Sequence, residues 1–307
     1  MAIAGNIETV MALRETASSC ILLPSELKRW FPSCPKTFAG FNFYYGINQV
    51  NVNAYQCSGR TEALNLRHQS LLNACVKELL ASASSCLTLN LSLEPLEPTL
   101  PYAYVAQHMD LVSRLATELA GLQEKVGAAS NGEKVLRFLV RYASEMNETA
   151  PTNHYAGNPA AFIESFRAVR AAFAAAAPAI PFAFSPAIRK DLKEENVAPY
   201  WPGADVVDII SCTWYIGEED QFDGAVDFFR SYFRHHQAAG KPLGIDEFGG
   251  CETLFRDTPQ ETGQLNDDFL QRMSAVIQEL GSEGIAFDYA TIFLDAKWGA
   301  DATLTWV

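Results

Sequence analysis

From residue 86 onward, short apolar runs of β type alternate with longer stretches whose apolar residues recur at helical spacing. CLTLNLSLEP (86–95), KVLRFLVRY (134–142), IPFAFSP (180–186), DVVDIISCTWY (205–215), KPLGIDEFG (241–249) and GIAFDYATIFLD (284–295) read as strands. Helical patterns lie between them at 104–122, 158–177, 223–238 and 261–280, the second with Asn158 as cap and Pro159 in its first turn. Strands this apolar are buried on both faces, as in a parallel sheet with helical crossovers. Repetition of that unit selects a barrel or a doubly wound sheet. No glycine-rich phosphate loop follows any strand, which weighs against the nucleotide-binding version. The expected fold is α/β, a (β/α)8 TIM barrel, with residues 1–307 forming one catalytic domain.

The N-terminal third is less regular. TFAGFNFYYG (37–46) reads as a strand and 61–83 as a helix, with SCILLP (19–24) a candidate first strand. Residues 1–36 are otherwise unassigned, so the placement of strands one and two stays open. Apolar residues make up 49% of the chain and charged ones 19%, enough to bury a large core. No apolar run reaches the length of a membrane span. The first thirty residues lack the basic start and apolar block of a signal peptide. They fit either a cytoplasmic protein or a secreted one whose signal has been removed.

The net charge of −13 argues against a nucleic-acid or anionic-membrane partner, since both need basic patches. Seven cysteines, with no CxxC pair, suggest mostly buried thiols, with pairing conceivable only among Cys20, Cys34 and Cys57. The five histidines show no HxH or HExxH spacing, so neither a metal hydrolase nor any cofactor is expected. His235 and His236 end a helix, where positive charge suits the macrodipole, and His154 lies in the loop after Glu145.

In a barrel, the C-terminal ends of the strands build the site. Those ends carry Glu94, then Arg141 to Asn147, Ser185, Trp214–Tyr215, Asp246–Glu247, and Asp295 with Trp298. Carboxylates and flat aromatics together suit sugar hydrolysis, with two acids about the bond and apolar faces for the rings. Asp246 and Asp208 read as structural, because alternation along a strand turns them away from the face of Glu247.

Four motifs in order resemble glycoside hydrolase family 26, in the clan A retaining glycosidases. RYASEMNET resembles the strand-four segment, AFSP the strand-five segment and YWPGADVVDIISCTWY the following turn and strand. KPLGIDEFGG resembles the strand-seven segment that ends in the nucleophile. The resemblance implies a β-mannanase or β-1,3-xylanase type of enzyme, with Glu145 as general acid/base and Glu247 as nucleophile. It departs in Ser144, where the family usually has histidine and many clan relatives asparagine. TAPTNHYAG replaces a tryptophan-rich segment and leaves Tyr155 as the large aromatic there.

The chemistry asks for the same division of labour, with one carboxyl protonated to donate to the leaving oxygen and the other ionised to attack the anomeric carbon. Arg141 and Tyr215 are expected to keep Glu247 ionised, and Asn147 to orient Glu145 or a sugar hydroxyl. Tyr155, Tyr200, Trp201, Trp214 and Trp298 are candidate substrate-binding aromatics. The expected partner is a poly- or oligosaccharide. The rival expectation is a catalytically silent barrel that only binds glycans.

Overall fold

The computed structural model describes residues 42–46, 76, 77, 79–81, 86–95, 101–148, 156–189, 193–216, 222–237, 239–250, 272 and 275–292. They belong to two compact units. One takes in Phe41–Ser185 and Pro199–Asp208, the other Pro186–Ala198 and Ile209–Val307, together with Met1–Gly40, which lies outside the described residues.

The first unit is built on four parallel strands in the order β1-β2-β3-β4. These are β1 (Asn42–Gly46), β2 (Cys86–Glu94), β3 (Val135–Tyr142) and β4 (Phe182–Phe184). Parallel neighbours need crossovers. Helices α1 (Pro101–Gln107) and α2 (Met109–Ala129) connect β2 to β3, and α3 (Pro159–Ala176) connects β3 to β4. The apolar pattern over 104–122 is thus longer than expected and broken at His108, whose ring stacks on Tyr104 at 4.0 Å. Asn158 caps α3 as expected, its side chain accepting from Ala161 N–H at 3.2 Å.

β2 and β3 run in register from Cys86↔Val135 to Leu93↔Tyr142. Tyr142 shows which face the helices cover: its hydroxyl lies 2.6 Å from Ser165 Oγ of α3 and its ring packs edge-on to Phe166. By alternation Arg141 takes the other face, and Ser92, its register partner, goes with it. β2 alternates strictly, with Leu89, Leu91 and Leu93 on one face and Asn90, Ser92 and Glu94 on the other, all buried.

In the second unit β8 (Leu243–Gly250) pairs in parallel with β6 (Ile209–Ile210), β7 (Thr213–Ile216) and β9 (Phe287–Ile292), while β5 (Ala187–Ile188) pairs with β7. The short helix α4 (Glu194–Val197) follows β5. Helix α5 (Phe222–Gln237) returns the chain from β7 to β8, and helical residues 275–282 (α6) precede β9. Phe229 and Phe233 of α5 pack on Phe287 of β9, with centroids 5.7 and 4.6 Å apart. The run expected as one strand over 205–215 begins only at Ile209, because a turn occupies 204–206 and Asp208 is engaged elsewhere, and it continues as two short strands, Ile209–Ile210 and Thr213–Ile216. The Asp208 carboxylate accepts from Phe182 N–H at 2.9 Å and pairs with Arg170 at 3.1 Å, the structural role expected of it.

Two strands precede β3 among the described residues, so counting it as strand four needs one more from outside them. The expectations for 1–36, including Cys20 and Cys34, lie outside the described residues, as does Cys57.

Candidate active-site residues

Each unit carries one of the two glutamates. In the first, the chain leaves β3 through a turn in which Ala143 (φ 48°) and Glu145 (φ 59°) are both left-handed. For residues with a Cβ that conformation costs on the order of 1–2 kcal/mol, so packing must hold it. Backbone bonds do so: Ala143 N–H donates to Leu93 O at 2.9 Å and Glu145 N–H to Ser185 O at 2.9 Å. Glu145 itself is half-buried, between buried Ser144 and buried Met146. Strain stored at a carboxylate on a strand end is a mark of functional positions.

Ser144, the departure from the family pattern, has a partner in Glu94. Its hydroxyl donates to Glu94 Oε1 at 2.8 Å, and Ser92 Oγ donates to the same oxygen. Glu94 ends β2 with only 5% exposure. A buried carboxylate is tolerated when donors satisfy it. Sequence reasoning placed Glu94 on a strand end without making it a site residue. The signal was in β2 itself, whose polar residues at every second position converge on one covered face ending in a carboxylate. Glu148, whose N–H donates to Glu145 O at 3.0 Å, is buried as well, at 6% exposure.

Arg141 is fully buried on that face, at the end of β3, and Asn147 is 3% exposed. Asn147 and Asn90, each the first residue of an Asn-x-Ser/Thr sequence, are themselves buried, which leaves a glycan on either no room in the folded chain.

Tyr200 is a correction. It is buried, with its ring edge-on to Phe162 at 5.8 Å and its hydroxyl accepting from Gly157 N–H at 2.9 Å. That bond fixes the left-handed turn at Gly157 just before α3, so Tyr200 offers no face to a sugar. Trp201 is half-buried, edge-on to Phe184 at 5.2 Å. The following turn is tied to α3 by Arg167, which donates to Pro202 O at 2.7 Å and pairs with Asp205 at 2.6 Å.

In the second unit Trp214 is the other correction. It has no exposed surface and stacks on Phe229 of α5 at 4.2 Å and 19°. It therefore fills the layer between strand and helix and cannot serve as a platform. Its burial also orients β8. Trp214 is in register with Phe248, and Thr213 with Glu247, so Glu247 lies on the face of β8 turned away from α5. Glu247 is 4% exposed there, beside buried Thr213. Tyr215 sits on β7 in register with Gly249.

Asp246, the neighbour on the opposite face, is wholly buried and structural, as expected. It accepts from Tyr289 Oη at 2.6 Å and from Ser211 Oγ. Tyr155, Trp298, Asp295 and His154 lie outside the described residues.

No family model and no curated protein matches the sequence. Solved structures do. A family-26 β-mannanase from Bacteroides ovatus aligns with a TM-score of 0.53 at 14% identity, covering 84% of this chain and 72% of that one. The catalytic domain of a family-26 endo-β-1,4-mannanase from a Bacillus species gives 0.58 at 12% identity, over 86% of this chain and 69% of that one. A family-26 protein from a Muricauda species gives 0.56 at 12% identity, over 94% and 82%. Parallel strands joined by helices, with this likeness, make the chain an α/β protein with the (β/α)8 barrel fold of glycoside hydrolase family 26 structures.

Proposed function

We propose that this chain is a retaining endo-β-glycosidase acting on a polysaccharide of the mannan, xylan or β-glucan class. The observation that carries the reading is Glu247: a carboxylate near the C-terminal end of a parallel strand, on the face the helix leaves free, where barrel enzymes hold their catalytic groups. Glu145, on a strained turn after another strand, has the same kind of position. The solved structures of similar fold include proteins described as β-mannanases and endo-β-1,4-mannanases, which supports the substrate class.

In this reading Glu247 attacks the anomeric carbon while Glu145 protonates the departing glycosidic oxygen. The glycosyl ester on Glu247 is then hydrolysed by water that Glu145 deprotonates. Arg141 and Tyr215 support the charge on Glu247, Asn147 orients Glu145 or a sugar hydroxyl, and Trp201 contacts sugar rings.

The test begins with a panel of mannan, β-1,3-xylan, mixed-linkage glucan and galactan, with product analysis. On the substrate that is cleaved, Glu247→Gln should lower kcat by several orders of magnitude with folding intact. Glu145→Ala should nearly abolish polysaccharide cleavage yet still form the glycosyl-enzyme from an activated aryl glycoside. Azide should then restore turnover and give the β-glycosyl azide. Near-full turnover by Glu247→Gln, or an α-azide product, would overturn the assignment. Binding without cleavage of any glycan would leave a lectin-like barrel instead.

A further inference from the structure

Away from both glutamates, Glu194 of α4 meets the last turn of α5. Nε2 of His235 and Nε2 of His236 lie 3.8 and 3.6 Å from the same Glu194 Oε1, and the three ligand atoms all fall within 4.8 Å of one another. The two histidines are adjacent in sequence, and their rings stand nearly perpendicular at 86°, which lets both nitrogens converge on one point. His236 is anchored, 8% exposed with its ring 4.6 Å from that of Tyr232, whereas the His235 side chain is 62% exposed.

The carboxylate has no better use among the described residues. Both Glu194 oxygens are shielded from solvent and accept no hydrogen bond from the described residues. The arginines of α5 are committed elsewhere: Arg234 makes two bonds to Glu283 at 2.6 and 2.7 Å, and Arg230 bonds Glu279. A shielded carboxylate facing two imidazole nitrogens beyond hydrogen-bond range is costly as it stands. A divalent cation at the centre would take the Glu194 oxygen and the two imidazole nitrogens as ligands.

We propose that Glu194, His235 and His236 form a zinc site, with two imidazoles and one carboxylate as protein ligands and the fourth position open beside exposed His235. Two nitrogens and an oxygen suit Zn²⁺, and tetrahedral bonds of about 2.0–2.1 Å would set the ligand atoms about 3.3 Å apart. Rotation of exposed His235 supplies most of the closure. The site lies at the end of α5 that leads into the start of β8, whereas Glu247 is near that strand's other end, so the ion would staple α4 to α5 and take no part in hydrolysis. The HxH and HExxH patterns miss it because the third ligand is about forty residues upstream of the histidines.

The tag-free full chain, stripped with chelator, is titrated with zinc chloride near neutral pH by calorimetry and thermal unfolding. One equivalent should bind and raise Tm by about 2–8 °C. Cobalt in place of zinc should give the strong visible absorption of a four-coordinate ion. Glu194→Gln, which keeps the side-chain shape, and His235→Ala, which alters an exposed residue, should each weaken zinc binding about 10–100-fold and abolish the cobalt bands, with unchanged circular dichroism in chelator. Zinc affinity equal to the parent in both folded variants, or no uptake by the parent at about 100 µM free zinc, would overturn the proposal.

Discussion

Glu145 shows how much one residue's backbone can say. Its left-handed φ of 59° is held by a bond to Ser185 O, and a residue without a Cβ would adopt it free of strain. Glu145→Gly should therefore gain roughly 0.5–1 kcal/mol in urea unfolding while losing whatever activity Glu145 supports, and Glu145→Gln should show no such gain. A gain from both variants would place the strain in the carboxylate and not in the backbone. Gly244 presents the reverse case. A Cβ there would run into the ring of Tyr289, whose hydroxyl serves Asp246. Gly244→Ala should cost about 2–4 kcal/mol, because the ring must shift and a buried carboxylate loses a donor. Denaturation that leaves the midpoint unmoved would show that the ring yields freely.

Single residues of this kind are half-legible in the sequence. The carboxylate of Glu247 stands out as the end of an apolar strand before two glycines, and alternation alone separates it from Asp246. The positive φ at Glu145 leaves no trace in residue types, since neither alanine nor glutamate favours that conformation.

At the scale of the element, the layer between β7 and α5 decides the fate of Trp214. Large aromatics fill cores as readily as they line binding faces, and only the stacking on Phe229 tells which. Trp214→Ala should destabilise the chain by about 3–5 kcal/mol, read from chemical denaturation, and leave KM on any cleaved glycan nearly unchanged wherever the variant is folded. A raised KM with parental stability would return Trp214 to the binding surface. The cap on α3 is a smaller term: Asn158→Ala should cost about 1 kcal/mol through loss of its bond to Ala161 N–H, measured the same way. That cap is legible in the residue order alone, because Asn followed by Pro and a helical pattern admits few other readings.

For the whole molecule, buried phenols set the alkaline limit. Burial raises Tyr142 and Tyr232 well above the ordinary tyrosine value of 10.0, and Tyr102 likewise, helped by nearby Tyr142, Tyr200 and Glu94. The folded state thus keeps protons that the unfolded chain releases near pH 10. Their contribution is complete below about pH 10 and falls as pH rises past it, since unfolding then releases protons. Urea midpoints should hold to about pH 9 and drop steeply by about pH 11, with tyrosinate absorbance from these rings appearing only on unfolding. Gradual tyrosinate formation by all eleven tyrosines at ordinary pH, without loss of structure, would contradict the burial.

By itself, the sequence determined what depends on neighbours along the chain: the alternation of strand and helix, the α3 cap, the parity that splits Asp246 from Glu247, and the motif order. Those follow from periods of two and 3.6 residues, which local residue types carry. Only the tertiary structure decided which face of each strand a helix covers, which sent Trp214 into the core, and which loops pack back on the elements, which buried Tyr200 against Phe162 and left Ser144 bonded to Glu94. The same long-range packing brought Glu194 to His235 and His236, because partners far apart in sequence are selected by shape and burial and not by spacing.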